Sequence, residues 1–386
     1  MIWRKLSRLL GSALVVLLDS LCLLAPRGAR ANVAVVVRLD ALGDFFIWLQ
    51  SGAVEIARFA KQSGRRSVLC ANTAYADYAR YTGLWDEVMA IEPARMMRNP
   101  LYRLRMLTRI RRCGAELLIQ SRASRVFLQE DAIARTCGAT YKVGSAGTTI
   151  NSLAWLRKWG NRFYDRLIPI DEGREIHEVI RNEQFTQALT GSPGTRFMPP
   201  EGKGERPAEE TVAVVLGAGE AGRVWPLDKL ANLIRHIRER YPGLRITLLG
   251  VKSDRLASQE LERQAGGALD NRVGATDLLT YVRLISQASL VVCNDSSAYH
   301  IGMALGRSIV CFLGGGHYGW FAPYPSTYNL GRRVCVLNVP MECYWCNWNC
   351  KYPTDAAGSF RCVTSINLAA AVAAVDTILT GDAAQS

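Results

Sequence analysis

The sequence predicts an α/β protein made of two Rossmann-like domains, each a doubly wound parallel sheet covered by helices. Three observations lead to this prediction. Short apolar strands alternate with helical segments over residues 33–143, a segment rich in proline and glycine interrupts them near Gly191, and the same alternation restarts at Val212. The 386 residues suffice for two domains of about 150 residues each. Because open α/β sheets bind ligands at the carboxyl ends of their strands, we expect a central cleft between the domains.

The first domain is predicted to begin with a β-branched strand, VAVVVRL, over residues 33–39. A turn through Asp40 to Asp44 then leads into a helix that reaches about Lys61. Further strands are predicted at residues 67–71, 87–91, 116–120 and 141–143, and the clearest helix covers residues 101–112. Strands that alternate with helices predict a parallel sheet with both faces covered.

The segment between the two patterns, GSPGTRFMPPEGKGERPAEE, holds four prolines and four glycines and has the composition of a linker. After it we predict strands at 212–216, 245–249, 290–293 and 309–313, helices at 227–240, 253–264 and 278–288, a short helix from Ser296, and a last helix at 367–379. The predicted organisation is a hydrophobic N-terminal segment (1–31), a first domain (32–190), a linker (191–210), a second domain (211–335), a cysteine-rich segment (336–366), and a helix and tail (367–386).

The N-terminal segment allows three interpretations. Three basic residues precede an apolar run from Leu9 to Leu24, and a small-x-small sequence ends at Ala31, which is typical of a signal peptide or a spanning anchor. Asp19 interrupts the run, which is also short for a spanning helix of about 20 residues. We favour a helix lying at the membrane interface, and a helix packed on the protein itself is the third interpretation.

The composition, with 49% hydrophobic and 21% charged residues, excludes a mainly disordered chain. The 47 Lys and Arg residues outnumber the 34 Asp and Glu residues by 13. Between Arg95 and Arg125 there are nine arginines and a single acid, Glu116. This concentration of positive charge indicates an anionic partner, such as a lipid head group or a phosphorylated glycan, unless it is an ordinary solvated helix face.

The eleven cysteines form two groups. Seven are scattered, several of them within apolar strands, and they indicate a reducing compartment. The other four, Cys343, Cys346, Cys350 and Cys362, are clustered and have the spacing of a four-thiolate metal site. Such a closed shell predicts a structural metal, zinc or iron, whereas disulfides or free thiols are the alternative.

Asp44 is the first candidate for chemistry. It follows the first strand and opens the next helix, where a carboxylate can act as a general base or cap the helix. No G-x-G-x-x-G sequence follows this strand, which counts against a dinucleotide site in the first domain.

The second domain carries a predicted anion site. Gly217 and Gly219 follow a strand and precede Arg223, so the backbone and a guanidinium can approach a phosphate. Another buried strand leads into NDSSAYH, where the free N–H groups of a helix N-terminus favour an anion. The candidate ligand-binding residues of that motif are Asp295, Ser296, Ser297 and His300, and Gly315 lies in a second glycine-rich loop, GGGH, that we expect to be flexible.

Together these motifs resemble glycosyltransferase family 9, the heptosyltransferase family of lipopolysaccharide synthesis. The resemblance runs from about Val33 to Leu379 and rests on VVVRLDALGD, GAGEAGRVWPLDKL and VVCNDSSAYHIGMALG, in order and at matching spacing. Two departures are Ser297, where the family motif has glycine, and GGGH, where many members have Gly-Pro-Thr. The cysteine cluster resembles the metal finger of the autotransporter heptosyltransferase branch, whose acceptor is a protein.

The resemblance implies a GT-B fold and an inverting transfer, without a catalytic cofactor, from a nucleotide-diphosphate sugar of the ADP-heptose type. It implies that Asp44 is the general base, that Arg223 contacts the donor diphosphate, and that Asp295, Ser296, Ser297 and His300 contact the donor.

The expected function is therefore transfer of a heptose or related sugar to a glycan acceptor of lipopolysaccharide or cell-surface polysaccharide. A protein acceptor is one alternative, and a non-catalytic, metal-stapled nucleotide-binding protein is another. We expect an anionic glycolipid or glycan as the partner, no nucleic acid, and a cytoplasmic location on the inner face of the cytoplasmic membrane.

Overall fold

The computed structural model describes residues 15–29, 32–149, 152–173, 175–200, 210–267 and 269–383. The chain divides into two compact units. The first comprises residues 1–172 and 180–197, and the second comprises residues 173–179 and 198–386. Part of the expected linker, residues 201–209, lies outside the described residues, and residues 192–200 form no strand or long helix.

The first unit is built on a six-stranded sheet with the strand order β3-β2-β1-β4-β5-β6. All its pairs are parallel. The central strand β1 is buried on both faces, because helices cover both sides of the sheet. The strands are β1 (Val33–Arg38), β2 (Arg66–Asn72), β3 (Glu87–Ile91), β4 (Leu117–Gln120), β5 (Tyr141–Ser145) and β6 (Arg166–Ile168).

Nine α-helices lie in this half of the chain among the described residues. The first, α1, covers residues 15–21. The others are α2 (Leu42–Leu49), α3 (Ala53–Lys61), α4 (Ala76–Tyr81), α5 (Pro93–Arg98), α6 (Pro100–Arg112), α7 (Glu130–Thr136), α8 (Ala154–Gly160) and α9 (Glu178–Thr190).

The second unit repeats this architecture with a parallel six-stranded sheet in the order β12-β11-β10-β7-β8-β9. Its strands are β7 (Thr211–Val215), β8 (Arg245–Leu249), β9 (Asp270–Asn271), β10 (Leu290–Asn294), β11 (Ser308–Phe312) and β12 (Val334–Leu337). Its helices are α10 (Leu227–Arg240), α11 (Arg255–Gln264), α12 (Leu278–Ser286), α13 (Ser297–Ala304), α14 (Arg361–Thr364) and α15 (Leu368–Ala383).

Both sheets have the strand order of a Rossmann fold, in which the direction of winding reverses beside the first strand. The reversal lies between β1 and β4 in the first unit and between β7 and β10 in the second. The predicted fold class is confirmed, and the two reversal points indicate where each unit is expected to bind a ligand.

The described part of the N-terminal segment packs on the first unit. Both oxygens of the buried Asp19 carboxylate accept hydrogen bonds from Arg103, at 2.5 and 2.8 Å, and Arg135 donates a third at 2.6 Å. Cys22 is also buried in the core. These contacts show this helix packed on the protein, as in the third interpretation, and contact with a membrane interface stays a prediction. No helix within the described residues is long and apolar enough to span a membrane.

The buried Asp19 pair also changes the interpretation of the arginine-rich segment. Arg103, Arg111 and Arg125 are buried within the first unit. Arg111 donates to the backbone carbonyls of Leu23 and Thr136. Part of the positive charge therefore has a structural role, and the exposed arginines of this segment are Arg95, Arg98, Arg105, Arg109 and Arg112.

Candidate functional site

Asp44 lies at the reversal point of the first sheet, in the first turn of α2. Its Oδ2 accepts a hydrogen bond from the backbone N–H of Ala41 at 3.2 Å, so the carboxylate caps the helix. The side chain is only half-buried. The structure thus shows the capping role directly. The general-base role stays a prediction, and the partial exposure of the carboxylate to solvent is compatible with it.

Asp40, four residues earlier, is a second carboxylate at this reversal point. It is buried, its Oδ2 lies 2.6 Å from Nε of Arg38, and the hydroxyl of Tyr75 donates to its Oδ1 at 3.3 Å. Burial raises the pKa of Asp40 to about 6, Arg38 opposes this rise, and the nearby Asp44 carboxylate adds to it. The Asp44 carboxylate, the candidate base, therefore lies among several charged side chains.

Arg122 supplies positive charge to the same cluster. It follows β4 and forms a 2.8 Å ion pair with the buried Glu130. Burial lowers the pKa of Arg122. The carboxylates of Glu130, Asp40 and Asp44 raise it by more, so the net change is upward and the guanidinium stays charged. Arg122 was not predicted from the sequence as a site residue, although its position just after β4 could have indicated it.

In the second unit, Asn294 joins the two strands that flank the reversal point. Its side chain donates to the carbonyl of Leu216 at 2.7 Å and accepts from the backbone N–H of Trp225 at 2.9 Å. The end of β7, the turn that contains Arg223, and the end of β10 are therefore held together.

This arrangement places two of the predicted donor-binding residues side by side. Nη1 of Arg223 lies 3.9 Å from Oδ2 of the buried Asp295. Burial raises the pKa of Asp295, and Arg223 opposes the rise. Nε of Arg223 and Oγ of Ser296 are both buried without a hydrogen-bond partner among the described residues. Buried polar atoms normally have partners, so this point of the unit fits a polar ligand.

His300 belongs to the core of the second unit, as do Ala298 and Tyr299 of the same motif. It is buried, and its Nδ1 lies 3.2 Å from the hydroxyl of Tyr324. Burial lowers its pKa to about 3, and His177 contributes to the decrease. A neutral histidine packed against aromatic rings is typical of a protein core, and the donor contact of His300 stays a prediction. Ser297 begins α13 and is half-buried.

The predicted glycines have different surroundings. A Cβ atom at Gly217 would lie 2.5 Å from Oδ2 of Asp254, whereas one at Gly219 would have only Arg223 near it, at 4.0 Å. A Cβ at Gly315 would lie 2.0 Å from the ring of Tyr344. The GGGH loop was expected to be a flexible loop, but it is covered by aromatic side chains of the cysteine-rich segment, so close packing explains its glycines.

The four clustered cysteines lie near one another. Burial raises the pKa of Cys362, the backbone N–H of Gly315 lowers it, and Cys343, Cys350 and Cys346 raise it again. All four are free thiols. No group of three or more His, Cys, Asp or Glu side chains within the described ranges is placed to hold a metal ion. The donor chemistry therefore fits zinc or iron, but the thiols are not arranged as a ligand shell.

Each unit thus has the Rossmann strand order with polar residues at its reversal point, which is the architecture of a GT-B glycosyltransferase. Residues 174–342 match the family model of glycosyltransferase family 9 (heptosyltransferase). This match covers less than half of the chain, and together with the fold it indicates a glycosyltransferase rather than the non-catalytic alternative. No curated protein sequence matches the chain significantly.

Three solved structures of heptosyltransferases or family 9 glycosyltransferases have a fold similar to that of this chain. Escherichia coli ADP-heptose lipopolysaccharide heptosyltransferase II is 15% identical, with a TM-score of 0.64 over 91% of this chain and 99% of that one. A family 9 glycosyltransferase from Veillonella parvula is 14% identical, with a TM-score of 0.70 over 92% and 100%. The dodecameric iron-containing heptosyltransferase TibC of enterotoxigenic E. coli, in complex with ADP-D-β-D-heptose, is 12% identical, with a TM-score of 0.51 over 92% and 79%. At these identities the likeness concerns the fold alone.

Proposed function

We propose that the protein is an inverting glycosyltransferase that moves a heptose from an ADP-heptose-type donor to a glycan acceptor of lipopolysaccharide or cell-surface polysaccharide. The observation that carries the donor assignment is the cluster of Arg223, Asp295 and Ser296 at the reversal point, with buried N–H and hydroxyl groups that lack partners among the described residues. The family match of residues 174–342 and the fold neighbours whose names include ADP-heptose support this donor.

The proposed mechanism divides the chemistry among these residues. Asp44 takes the proton of an acceptor hydroxyl, which attacks the anomeric carbon as the nucleoside diphosphate leaves. Arg223 and the N-terminus of α13 stabilise the negative charge that develops on the diphosphate. Asp295 accepts hydrogen bonds from sugar hydroxyls, because a carboxylate beside a phosphate site repels the phosphate itself.

The experiment that tests this function is a panel of nucleotide sugars incubated with the purified protein and candidate acceptors. We expect release of ADP and a product heavier by one heptose, detected by mass spectrometry, when ADP-heptose is the donor. Product formation with another nucleotide sugar, and none with ADP-heptose, would contradict the donor assignment.

The alternative acceptor is a protein. The cysteine cluster, which resembles the metal finger of the autotransporter branch, favours this alternative, whereas the exposed arginines of α5 and α6 favour an anionic glycan. Supplying both acceptor classes in the same assay distinguishes them, because only the modified acceptor gains the mass of the sugar.

We propose further that the four clustered cysteines hold one structural iron or zinc ion. The support is the donor chemistry and the mutual proximity of the thiols. Elemental analysis is expected to find about one equivalent of iron or zinc per chain. Cys346→Ser is expected to lower the metal content and the melting temperature, whereas Cys335→Ser, outside the cluster, keeps the metal. Absence of both metals, or unchanged content in Cys346→Ser, would contradict the proposal.

The proposed location is the inner face of the cytoplasmic membrane. Leu17, Leu24 and Leu101 expose 68%, 82% and 80% of their surfaces, and exposed arginines occupy α5 and α6 nearby. Apolar side chains beside basic residues suit an anionic lipid surface. We expect the protein to co-sediment with vesicles that contain phosphatidylglycerol, and Leu17→Ser with Leu24→Ser to weaken this binding. Leu256→Ser is the matched control, because Leu256 of the second unit is equally exposed. Failure of the wild-type protein to co-sediment with these vesicles would contradict the proposed location.

A further inference from the structure

The turn that contains Arg223 is held on both sides by the chain between Cys350 and Cys362. The backbone N–H of Phe360 donates to the carbonyl of Gly222 at 2.8 Å. The hydroxyl of Ser359 donates to the carbonyl of Val224 at 2.7 Å. A Cβ atom at Gly222 would lie 2.3 Å from the Phe360 ring, so the two segments are in direct contact. The backbone position of Arg223 is therefore fixed by residues of the cysteine-rich segment.

The side chain of Arg223 is held by the same segment. The centre of its guanidinium lies 4.4 Å from the centroid of the Trp348 ring, which is the distance of a cation–π contact. Trp348 is itself stacked on Phe360, with centroids 5.7 Å apart and an interplanar angle of 16°. The guanidinium thus lies over an aromatic ring that is itself stacked on a second ring.

The position of Trp348 is fixed further by the glycine-rich loop that follows β11. Its indole N–H donates to Nδ1 of His317 at 3.1 Å. The backbone N–H of Asn347 donates to the carbonyl of Gly316 at 3.1 Å. A Cβ atom at Gly316 would lie 2.3 Å from the Trp348 ring, so only glycine lets the indole approach this closely. The loop and the indole form one packed unit beside Arg223.

We propose that Trp348 is a positioning residue of the donor site, which holds the Arg223 guanidinium in the orientation that receives a nucleoside diphosphate. This proposal rests on the proposed function of Arg223. Nothing in the cysteine spacing requires a tryptophan at this position, whereas a guanidinium that must keep one orientation gains from a fixed aromatic face. The cysteine-rich segment accordingly contributes to donor binding through Trp348 as well as to stability.

The test is calorimetric titration of the full chain with ADP. Trp348→Leu keeps apolar volume against Gly316 and Phe360 but removes the aromatic face, and we expect it to raise the Kd for ADP about 3- to 30-fold, the range of a cation–π contact. Trp348→Phe is expected to restore most of the affinity. Trp345→Leu is the matched control in the same loop, because its indole donates to the carbonyl of Tyr318, and we expect ADP affinity close to wild type.

A double-mutant cycle shows whether Trp348 acts through Arg223. We expect Arg223→Ala to weaken ADP binding, and Trp348→Leu to add little loss in the Arg223→Ala background. In turnover assays the KM for the donor is expected to rise more than kcat falls. If Trp348→Leu does not fold, Trp348→Met provides the same comparison, because methionine fills irregular apolar space.

The possible failures are distinguishable. Wild-type affinity for ADP in Trp348→Leu would overturn the role of Trp348 and leave the proposed function intact. The same holds if Trp348→Leu weakens ADP binding equally in the wild-type and Arg223→Ala backgrounds. A wild-type protein that binds no ADP, or an Arg223→Ala variant with unchanged ADP affinity, would overturn the donor-site assignment on which the inference rests.

Discussion

Replacing Asp44 by asparagine is expected to lower turnover about 100-fold or more, because a positioned general base contributes about this much to the rate of proton transfer. Asparagine keeps the size of the side chain, and its amide oxygen can still accept the hydrogen bond from Ala41. The fold and the affinity for ADP are therefore expected to stay near wild type, since the donor-binding residues lie in the other unit. Steady-state kinetics together with ADP titration measure both quantities.

The control for this variant is Asp277→Asn. Asp277 caps α12 by accepting a hydrogen bond from the N–H of Thr280 at 2.8 Å and is not among the predicted site residues. Asparagine caps helices about as well as aspartate, so this variant is expected to retain wild-type turnover. Turnover of Asp44→Asn within about threefold of wild type would reduce Asp44 to the same capping role and contradict its assignment as base.

Replacing Asp19 by alanine is expected to destabilise the protein by about 3–5 kcal/mol, because it leaves the charge of Arg103 buried without its partner. The side chains of Asp19 and Arg103 are 1% and 4% exposed, so water cannot replace the missing carboxylate. Arg135 loses a 2.6 Å contact in the same substitution. Denaturant unfolding and calorimetry of the full chain measure the loss.

Asp77→Ala is the matched control, because Asp77 forms an ion pair with Arg80 but is 80% exposed. Exposed ion pairs contribute about 0–1 kcal/mol, so this variant is expected to unfold nearly as the wild type does. A loss of less than about 1 kcal/mol in Asp19→Ala would show that α1 contributes little to the first unit, and that Arg103 finds other partners without it.

The strands could be predicted from the sequence wherever they are short, apolar and β-branched. The central strands β1, β7, β8 and β10 lie within a residue of their expected bounds, because strands covered on both faces contain almost only apolar residues. The missed strands, β6, β9 and β12, lie at or near the sheet edges and are short or half-buried. Their sequences therefore lack the apolar run that reveals a central strand.

The residues of the candidate site that could be predicted are those that come directly after a strand or a recognisable turn. Arg223, Asp295 and Ser296 were found because each follows a strand or turn of recognisable pattern, and the structure brings them together. Trp348 was missed because its contact with Arg223 joins residues far apart in the chain, and no local pattern indicates such a contact. The buried arginines were missed for a similar reason, since Arg103 is paired with Asp19, 84 residues away in the sequence.

Three residues of the cysteine-rich segment adopt a backbone conformation that suits glycine. Trp345, Asn347 and Trp348 have φ angles of 63°, 49° and 61°, in the left-handed region that costs a non-glycine residue about 1–2 kcal/mol. Glycine at position 348 would relieve the strain but would also remove the indole beside Arg223. The loop is therefore less stable than it would be with glycine at position 348, but it keeps the indole that contacts Arg223. This is a trade-off between stability and function within a single loop.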